Sequence, residues 1–318
     1  MSSIAQRQVL LGLQSSAGVG VVPDFALRAL LDLKPEVDKV KVEENIGSFA
    51  PARHYIGSIM PDGKLTTEAA LYEEIPYILA MALGLETPSG GGSPYTWTFA
   101  LPDDTAESFA LFSIEYTDGN TWVVRAEDVF ATELTITGEA GKAWEIEATL
   151  VGGEATYPAA LTGTPAPLTT SGTIRMADTK LYIDALFANI GTTEMTQLIS
   201  FTWKLSDLQH VKQFAGSLYP NGRGNGRWAV SLEVIAEVEN SVMQDARDLL
   251  LVTTQTAVQV EATSAPFSAT INGMYMLEEV DTLDDRDGNN IVKLTYSGEK
   301  DASNNTGSVV VLSSLAAL

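Results

Sequence analysis

The sequence predicts a mainly β fold made of two tandem β-sandwich modules, each with one short flanking α-helix. Many short segments alternate apolar and polar side chains, which is the pattern of strands with one buried face. Turn signals such as Thr117-Asp118-Gly119-Asn120 separate neighbouring segments of this kind. The order strand, long loop, strand and short helix occurs twice, which indicates two copies of one β unit.

Residues 1–22 are predicted to form an extended N-terminal arm. Small and polar residues dominate the second half of this segment, and they offer little apolar surface for an independent fold. We therefore expect the arm to become ordered on a partner. Its apolar side chains are the candidate contacts: Ile4, Leu10 and Leu13.

The first module is predicted over residues 23–153 and begins with two strands. Apolar side chains alternate over residues 25–33, which predicts the first strand. The polar stretch 34–51 is predicted to be a long loop. The second strand is predicted over residues 52–60, and it ends at the turn Pro61-Asp62-Gly63.

A helix and a series of strands complete the first module. Leu71, Ile75 and Ile78 recur at helical spacing, and Gly84 suits the residue that follows a helix. Pro76 marks either a kink or the first turn of the helix's second half. Strand segments are then predicted at residues 95–101, 109–116, 121–125, 132–137 and 143–151.

Residues 154–172 are predicted to be a linker, and residues 173–318 to be the second module. The linker is rich in Pro, Gly, Ser and Thr, which suits neither helix nor strand. The second module then repeats the order of the first. Its strand, Gly-rich loop, strand and short helix are predicted, in turn, at residues 199–206, 207–226, 228–238 and 241–250.

Sequence matches support an internal duplication. Residues 25, 52 and 67 match residues 199, 227 and 241 at offsets of 174 or 175. A closing motif also recurs, as Leu134-Thr135-Ile136-Thr137-Gly138-Glu139 and as Leu294-Thr295-Tyr296-Ser297-Gly298-Glu299. We interpret these matches as two copies of one structural unit.

The composition excludes several classes of function. The 318 residues include 19 Lys and Arg against 41 Asp and Glu, a formal net charge of −22 that opposes binding to a phosphate backbone. There is no cysteine, which excludes disulfides, Cys-ligated metals and thiol nucleophiles. Only two histidines remain for metal or acid–base chemistry. No catalytic residue, metal ligand or cofactor is therefore predicted.

Neither targeting signals nor paired carboxylates indicate a specific function. The start of the chain has no signal-peptide pattern, and no apolar run reaches membrane-spanning length, so we expect a soluble protein made in the cytoplasm. Adjacent carboxylates occur at Glu43-Glu44, Glu73-Glu74, Asp103-Asp104 and Asp284-Asp285. Neighbours on a strand point to opposite faces, so these pairs are predicted to be solvated surface charge and not a catalytic dyad.

The predicted hairpin over residues 132–151 separates its charges onto one face. Its inward positions are apolar: Leu134, Ile136, Trp144, Ile146 and Ala148. Glu133, Glu145 and Glu147 then face outward among threonines. Such a face is either an ordinary solvent surface or a wetted wall that repels polyanions.

Several segments together carry a family pattern. They are Ala26-Leu27-Arg28-Ala29-Leu30, Lys34-Pro35-Glu36-Val37, Arg53-His54-Tyr55-Ile56-Gly57-Ser58, Asp62-Gly63-Lys64-Leu65, residues 73–84, Tyr95-Thr96-Trp97-Thr98-Phe99 and the late hairpin with Leu294-Thr295-Tyr296. With these segments the chain resembles the tail-tube (major tail) proteins of bacteriophages with long, non-contractile tails. The resemblance spans most of the chain.

The resemblance implies a structural virion protein and not an enzyme. It implies a β-sandwich fold that assembles into stacked rings with a β-barrel lumen, forming the tube that delivers DNA to the host. With two modules in one chain, a trimeric ring of pseudo-sixfold symmetry is preferred over a hexamer. Glu133, Glu145 and Glu147 are the candidate lumen-facing residues, in keeping with the acidic lumens of the family.

The resemblance also implies partners and a location. The partners are further copies of the chain, the tape measure, tail tip and tail terminator proteins, and genome DNA that passes without specific binding. The location is the virion tail, after synthesis in the bacterial host cytoplasm. The two predicted long loops suit contacts between stacked rings. The candidate contact residues are Glu43, Glu44, Phe49, Gln213, Tyr219 and Arg223.

One alternative belongs to another class of function. A β-sandwich adhesin of a phage or bacterial surface would bind glycans on an aromatic platform, for which Trp97, Trp122 or Tyr219 are available. A polysaccharide-degrading β-sandwich enzyme is the third interpretation, and it would need carboxylates that converge in a cleft.

Overall fold

The computed structural model describes residues 7–42, 53–101, 110–117, 122–165, 172–237, 254–286, 289–301, 303 and 306–318. This part of the chain is mainly β and contains one α-helix, α1 (Ile75–Leu83). The strands are β1 (Gln8–Gln14), β2 (Phe25–Leu27), β3 (Leu30–Val42), β4 (Arg53–Thr67), β5 (Tyr95–Ala100), β6 (Leu111–Thr117), β7 (Val123–Glu139), β8 (Glu145–Val151), β9 (Ala155–Thr156), β10 (Thr179–Asp184), β11 (Glu194–Met195), β12 (Leu198–Ser206), β13 (Gln209–Lys212), β14 (Gly222–Asn225), β15 (Ala229–Glu237), β16 (Thr256–Ser264), β17 (Phe267–Arg286), β18 (Asn289–Gly298) and β19 (Gly307–Ser313). No helix within these ranges has the length and apolar character to cross a membrane.

A central antiparallel sheet of eight strands organises the molecule. Its order is β3-β4-β8-β7-β12-β15-β18-β17, and each neighbouring pair runs antiparallel. In the described residues, β3 pairs in this sheet with β4 alone, and residues 277–286 of β17 pair with β18 alone. The sheet therefore has an open edge at each side and is not a closed barrel.

Two long strands connect this sheet to two flanking sheets. Residues 123–129 of β7 pair with β6, whereas residues 130–139 pair with β8 and β12. In the same way, residues 267–275 of β17 pair with β16 and residues 275–286 pair with β18. The flanking sheets have the orders β2-β1-β6-β7-β9 and β11-β10-β16-β17-β19-β5.

The apolar core lies between the central sheet and the flanking sheets. The ring of Trp144 meets that of Phe201 edge-on, with centroids 5.1 Å apart. The buried indole N–H of Trp203 donates a hydrogen bond to the hydroxyl of Tyr275 over 3.1 Å. These contacts join strands that are far apart in sequence, so the core is continuous from β7 to β17.

Helix α1 forms where the sequence predicts it. Pro76 occupies the first turn, where its missing N–H breaks no helical bond, and Gly84 ends the helix with φ 104°. All nine side chains of α1 are buried, so the helix packs as part of the core. The second predicted helix, over residues 241–250, lies outside the described residues.

The predicted loop 34–51 is wrong for residues 34–42, and the predicted turn at Pro61 is wrong; residues 43–51 lie outside the described residues. Residues 34–42 continue β3, and β4 runs through Pro61-Asp62-Gly63 to Thr67. Pro35 and Pro61 lie opposite each other, and the Pro61 carbonyl accepts a hydrogen bond from Gly152 N–H on the side away from β3. The two prolines thus form a pair that needs no N–H donor, which is why the ladder tolerates both.

Part of the predicted N-terminal arm is a strand of the first flanking sheet. Leu10 and Leu13 belong to β1, which pairs with both β2 and β6, and Leu10 is 1% exposed. The expectation that this segment is ordered only by a partner is therefore wrong for β1. The third candidate arm contact, Ile4, lies outside the described residues.

Part of the predicted linker belongs to the first flanking sheet. Ala155 and Thr156 form β9, which pairs with β7. Further along, the Thr162 N–H donates to the buried Glu115 carboxylate over 2.8 Å. The Pro- and Thr-rich composition obscured these contacts because, in the described part of the segment, only Ala155 and Thr156 are in a strand.

The two closing motifs are not equivalent. Leu134–Glu139 lies at the end of β7, the first strand of its hairpin, whereas Leu294–Gly298 lies in β18, the second strand of the later hairpin. The two motifs have similar sequences because both form strands, although they occupy different places in the fold.

Candidate assembly surface

The hairpin of β7 and β8 has the two faces that the sequence predicts. Glu133 lies opposite Thr149, Thr135 opposite Glu147 and Thr137 opposite Glu145. The alternate, inward side chains are almost completely buried: Leu134, Ile136, Trp144, Ile146 and Ala148. The prediction that the three glutamates share one accessible face is confirmed by this register.

This polar face, defined as the accessible side of the central sheet, continues across all eight strands. Among the described residues, its acidic side chains are Asp32, Glu36, Asp62, Glu133, Glu139, Glu145, Glu147, Glu233, Glu237, Glu279 and Asp281. Its lysines are Lys34, Lys64, Lys204 and Lys293. These eleven carboxylates against four ammonium groups give the face a negative charge, which repels polyanions in solution.

Three ion pairs cross strand boundaries on the polar face. Lys64 Nζ lies 2.6 Å from Glu147 Oε1, Lys204 Nζ lies 3.3 Å from Glu133 Oε2, and Lys293 Nζ lies 2.9 Å from Glu233 Oε2. The hydrogen bond to Glu147 raises the pKa of Lys64. These largely exposed pairs contribute little to stability, and each favours the observed register between two strands.

The fourth lysine lies at an edge of the sheet. Lys34 projects from β3, and Glu279 and Asp281 project from the opposite edge strand, β17. Within the described ranges, none of the three makes an ion pair. Open strand edges expose unpaired N–H and C=O groups, so both edges are sites at which another strand can add.

The predicted contact loops are only partly described. Glu43, Glu44 and Phe49 lie outside the described residues. The second loop contains the hairpin β13–β14, on which Gln213 is exposed and the Arg223 guanidinium lies 5.8 Å above the Phe130 ring.

The second loop also contacts the first hairpin of the same chain. The Ile59 N–H of β4 donates to the Leu218 carbonyl over 2.8 Å. Tyr219 and Arg223 line a cleft of about 650 Å³ beside Asp128 and Phe130. The second predicted contact loop therefore contacts β4 and β7 of its own chain.

The aromatic residues of the adhesin alternative do not form one platform. Trp97 is 1% exposed, and its indole N–H donates to the Leu315 carbonyl over 2.9 Å, so its proposed role on a surface is wrong. Trp122 is partly exposed and lies edge-on against Tyr116, with ring centroids 5.6 Å apart.

The carboxylate pair Glu73-Glu74 is buried, contrary to prediction. Both residues directly precede α1, and the Arg28 N–H donates to Glu74 Oε1 over 2.8 Å. Burial raises the pKa of Glu74 to about 7. Ser314 Oγ donates to Glu73 Oε1 over 2.8 Å, which ties the C-terminal segment to the helix. The signal for this burial was the apolar helix immediately after the pair.

The described residues do not have the arrangement that a metal ion needs. Across the described parts of the chain, no group of three or more His, Asp or Glu side chains is arranged to hold a metal ion.

The fold and surface define a class of protein. A β chain with an acidic sheet face and an open strand edge on each side has the features of a structural subunit that adds to further copies. The chain belongs to the phage tail tube protein family, whose family model matches residues 4–299. It is thus a structural component of a phage tail tube. A search of the curated proteins found no match.

Proposed function

We propose that the chain assembles into stacked rings that form the tail tube of a phage with a long, non-contractile tail, and that DNA passes to the host through this tube. The polar face of the central sheet lines the lumen, with Glu133, Glu145 and Glu147 among its residues. Its excess of carboxylates keeps DNA from binding to the wall during passage.

The ring consists of three chains, each with two tandem tube modules. Support comes from the strand pairings, which occur twice. The pairs β1–β2, β1–β6, β3–β4, β4–β8, β6–β7, β7–β8 and β7–β9 have the counterparts β10–β11, β10–β16, β12–β15, β15–β18, β16–β17, β17–β18 and β17–β19. Equivalent bulges support the same alignment, one between Ala131 and Glu133 and one between Leu277 and Glu279.

The observation that carries this proposal is the pairing of β7 with β12. It joins the first set of strands to the second through an antiparallel ladder from Leu134–Leu205 to Glu139–Ser200. In the duplicated arrangement, β12 corresponds to β3 and β7 to β17, and these are the two strands with open edges. Repeating the same ladder between chains closes a ring and leaves no edge exposed.

The tube ends and the lumen contents supply the remaining partners. The tape measure protein occupies the lumen before DNA release, and the tail tip and tail terminator proteins cover the two ends. Stacking uses the segments around Glu43, Glu44 and Phe49 and around Gln213, Tyr219 and Arg223.

Electron microscopy of the purified full-length chain tests the proposal. We expect tubes whose end-on views have threefold symmetry with six similar lobes, together with a subunit mass of 34.0 kDa. A chain that stays monomeric at high concentration and after addition of tail-tip nuclei would contradict it. Rings of six chains would contradict the proposed stoichiometry alone.

A further inference from the structure

Each open edge of the central sheet carries charged side chains on the polar face. On β3, Lys34 stands between Asp32 and Glu36 on the same face. On β17, Glu279 and Asp281 occupy successive positions of that face. One edge thus carries a lysine between two carboxylates, and the opposite edge carries two neighbouring carboxylates.

The contact between β7 and β12 shows how such edges meet within one chain. Lys204 of β12 lies directly opposite Thr135 of β7. Its ammonium group reaches diagonally to Glu133, with Nζ 3.3 Å from Oε2. The junction is therefore defined by Lys204 on β12 and by Glu133 and Thr135 on β7. These positions can be compared with those on the open edges.

The bulges align β7 with β17. Each bulge leaves one extra residue before a pair with a threonine: Glu133 opposite Thr149, and Glu279 opposite Thr295. Glu279 therefore corresponds to Glu133. Two residues further on, Asp281 corresponds to Thr135.

The neighbouring strands align β12 with β3. On its other side, Thr149 of β8 pairs with Lys64 of β4. In the same way, Thr295 of β18 pairs with Glu233 of β15. Lys64 then pairs with Asp32, and Glu233 with Thr202. Thr202 thus corresponds to Asp32, and two residues further on Lys204 corresponds to Lys34.

The alignment is consistent with the ion pairs on either side. Lys64–Glu147 and Glu233–Lys293 occupy corresponding positions with the two charges exchanged. Both pairs run diagonally across the same step of the ladder. Corresponding positions have therefore kept an ion pair although the individual residues differ.

We propose that β3 of one copy pairs antiparallel with residues 277–286 of β17 of the next copy, with Lys34 opposite Asp281 and its ammonium group against Glu279. This inference rests on the proposed ring and specifies its junction between chains. Lys34 meets two carboxylates there, whereas Lys204 meets one carboxylate and one threonine within the chain.

The face alternation and the alignment with β7 and β12 select this register. A slip of one residue turns the buried Leu31 and Leu33 onto the polar face. A slip of two residues keeps the face but no longer matches the ladder in which Lys204 lies opposite Thr135. The proposed register also places Glu36 opposite Glu279, so the charges alone do not select it.

Pro35 makes the β3 edge dependent on side-chain pairing. Because the Pro61 carbonyl points away from β3, the backbone of Pro35 points outward, and proline has no N–H to donate. The ladder between chains therefore lacks one hydrogen bond at this position. A proline on an edge also discourages the addition of unrelated strands.

Cysteine cross-linking tests this junction because the natural chain contains no cysteine. The variant combines Lys34→Cys with Asp281→Cys. Residues directly opposite in an antiparallel pair have Cα atoms about 4.5–5.5 Å apart, within the range that a disulfide spans. The matched control combines Asp32→Cys with Asp281→Cys, which lie diagonally, about 7–8 Å apart, in the proposed register.

We expect oxidised tubes of the Lys34→Cys/Asp281→Cys variant to give covalent chain-to-chain products on a non-reducing gel, at least fivefold more than the control. The series should end at the ring size, which is three chains under the proposed function. Wild-type tubes with no cross-linking of this variant, or with preferential cross-linking of the control, would overturn the junction and leave the tube intact. Failure of the wild-type chain to assemble would instead overturn the proposed function.

Discussion

The guanidinium Nη1 of Arg125 lies 3.6 Å from the Oε1 of Glu115, whose side chain is completely buried. The Thr162 hydroxyl and N–H both donate to the same carboxylate, so β6, β7 and the segment after β9 meet at one charged group. Arg125 also lies 3.2 Å from Glu127, and it donates to the Val21 carbonyl over 3.3 Å. This polar cluster fastens the segment after β9 to the first flanking sheet.

Removing the cation of this cluster should be costly. In Arg125→Met the Glu115 carboxylate stays buried without its positive partner, and we expect a loss of about 3 kcal/mol in the free energy of unfolding, measured with chemical denaturant. The control Lys142→Met removes an exposed ion pair with Glu139 and should lower the free energy of unfolding much less. Equal losses in the two variants would show that the cluster does not stabilise the fold.

Stability should depend on pH through Glu74. Its folded pKa of about 7 lies above the ordinary 4.5, so the folded state keeps a proton that the unfolded state has released. The free energy of unfolding therefore falls as pH rises from about 4.5 to about 7, by about 3 kcal/mol, and levels off above. Denaturant titrations of Glu74→Gln should lack this slope. If the slope persists in Glu74→Gln, another group is responsible for it.

A methyl group at Gly63 should distort the β3–β4 hairpin. A Cβ at this position would lie 1.8 Å from the Asp32 carbonyl oxygen, so the backbone of one strand has to move. We expect Gly63→Ala to lower the free energy of unfolding by about 2 kcal/mol or more. Gly91→Ala is the matched control because nothing lies within 4 Å of its Cβ position. Thermal unfolding of both variants compares the two sites, and similar midpoints would contradict the close approach.

Reversing the charge at the edge of β3 should impair assembly and leave the folded chain intact. Lys34→Glu places three successive carboxylates opposite Glu279 and Asp281, and we expect about tenfold fewer tubes at low salt. Adding Glu279→Lys and Asp281→Lys should restore them. Lys64→Glu changes an ion pair inside the chain and serves as the control. Sedimentation and electron microscopy count the tubes, and normal assembly of Lys34→Glu would exclude the charge pairing.

Neutralising the polar face should make the lumen retain anions. In the triple variant Glu133→Gln, Glu145→Gln and Glu147→Gln, Lys64 and Lys204 lose their carboxylates. We expect tubes of normal shape that hold short single-stranded DNA in a salt-sensitive manner. Glu194→Gln releases Lys180 on β10, outside the polar face, and should not have this effect. Retention by both variants would mean that the polar face does not line the bore.

The sequence predicted those elements whose local chemistry is strong. Pro76 and Gly84 mark the two ends of α1, and the Glu–Thr alternation of β7 and β8 identifies their accessible face. The continuation of β3 beyond Lys34 was missed because its side chains are largely exposed on both sides, so no apolar alternation remains. Only pairing with β4 makes this stretch a strand.

Other features depend on contacts between distant residues. Burial of β1 follows from its position between β2 and β6, which its own composition does not reveal. The ion pair of Lys204 with Glu133 joins residues 71 positions apart. The candidate edges could not be identified from the sequence, because an open edge is defined by the strand that is missing beside it.

For the proposed ring, the ladder between β7 and β12 has a consequence for the kinetics of assembly. Because both strands belong to one polypeptide, their encounter is intramolecular and independent of protein concentration. In a ring of three chains, half of the six seams are therefore closed as soon as each subunit folds. Diffusion has to bring together only three bodies, and the entropy lost on association is correspondingly smaller than for six separate modules.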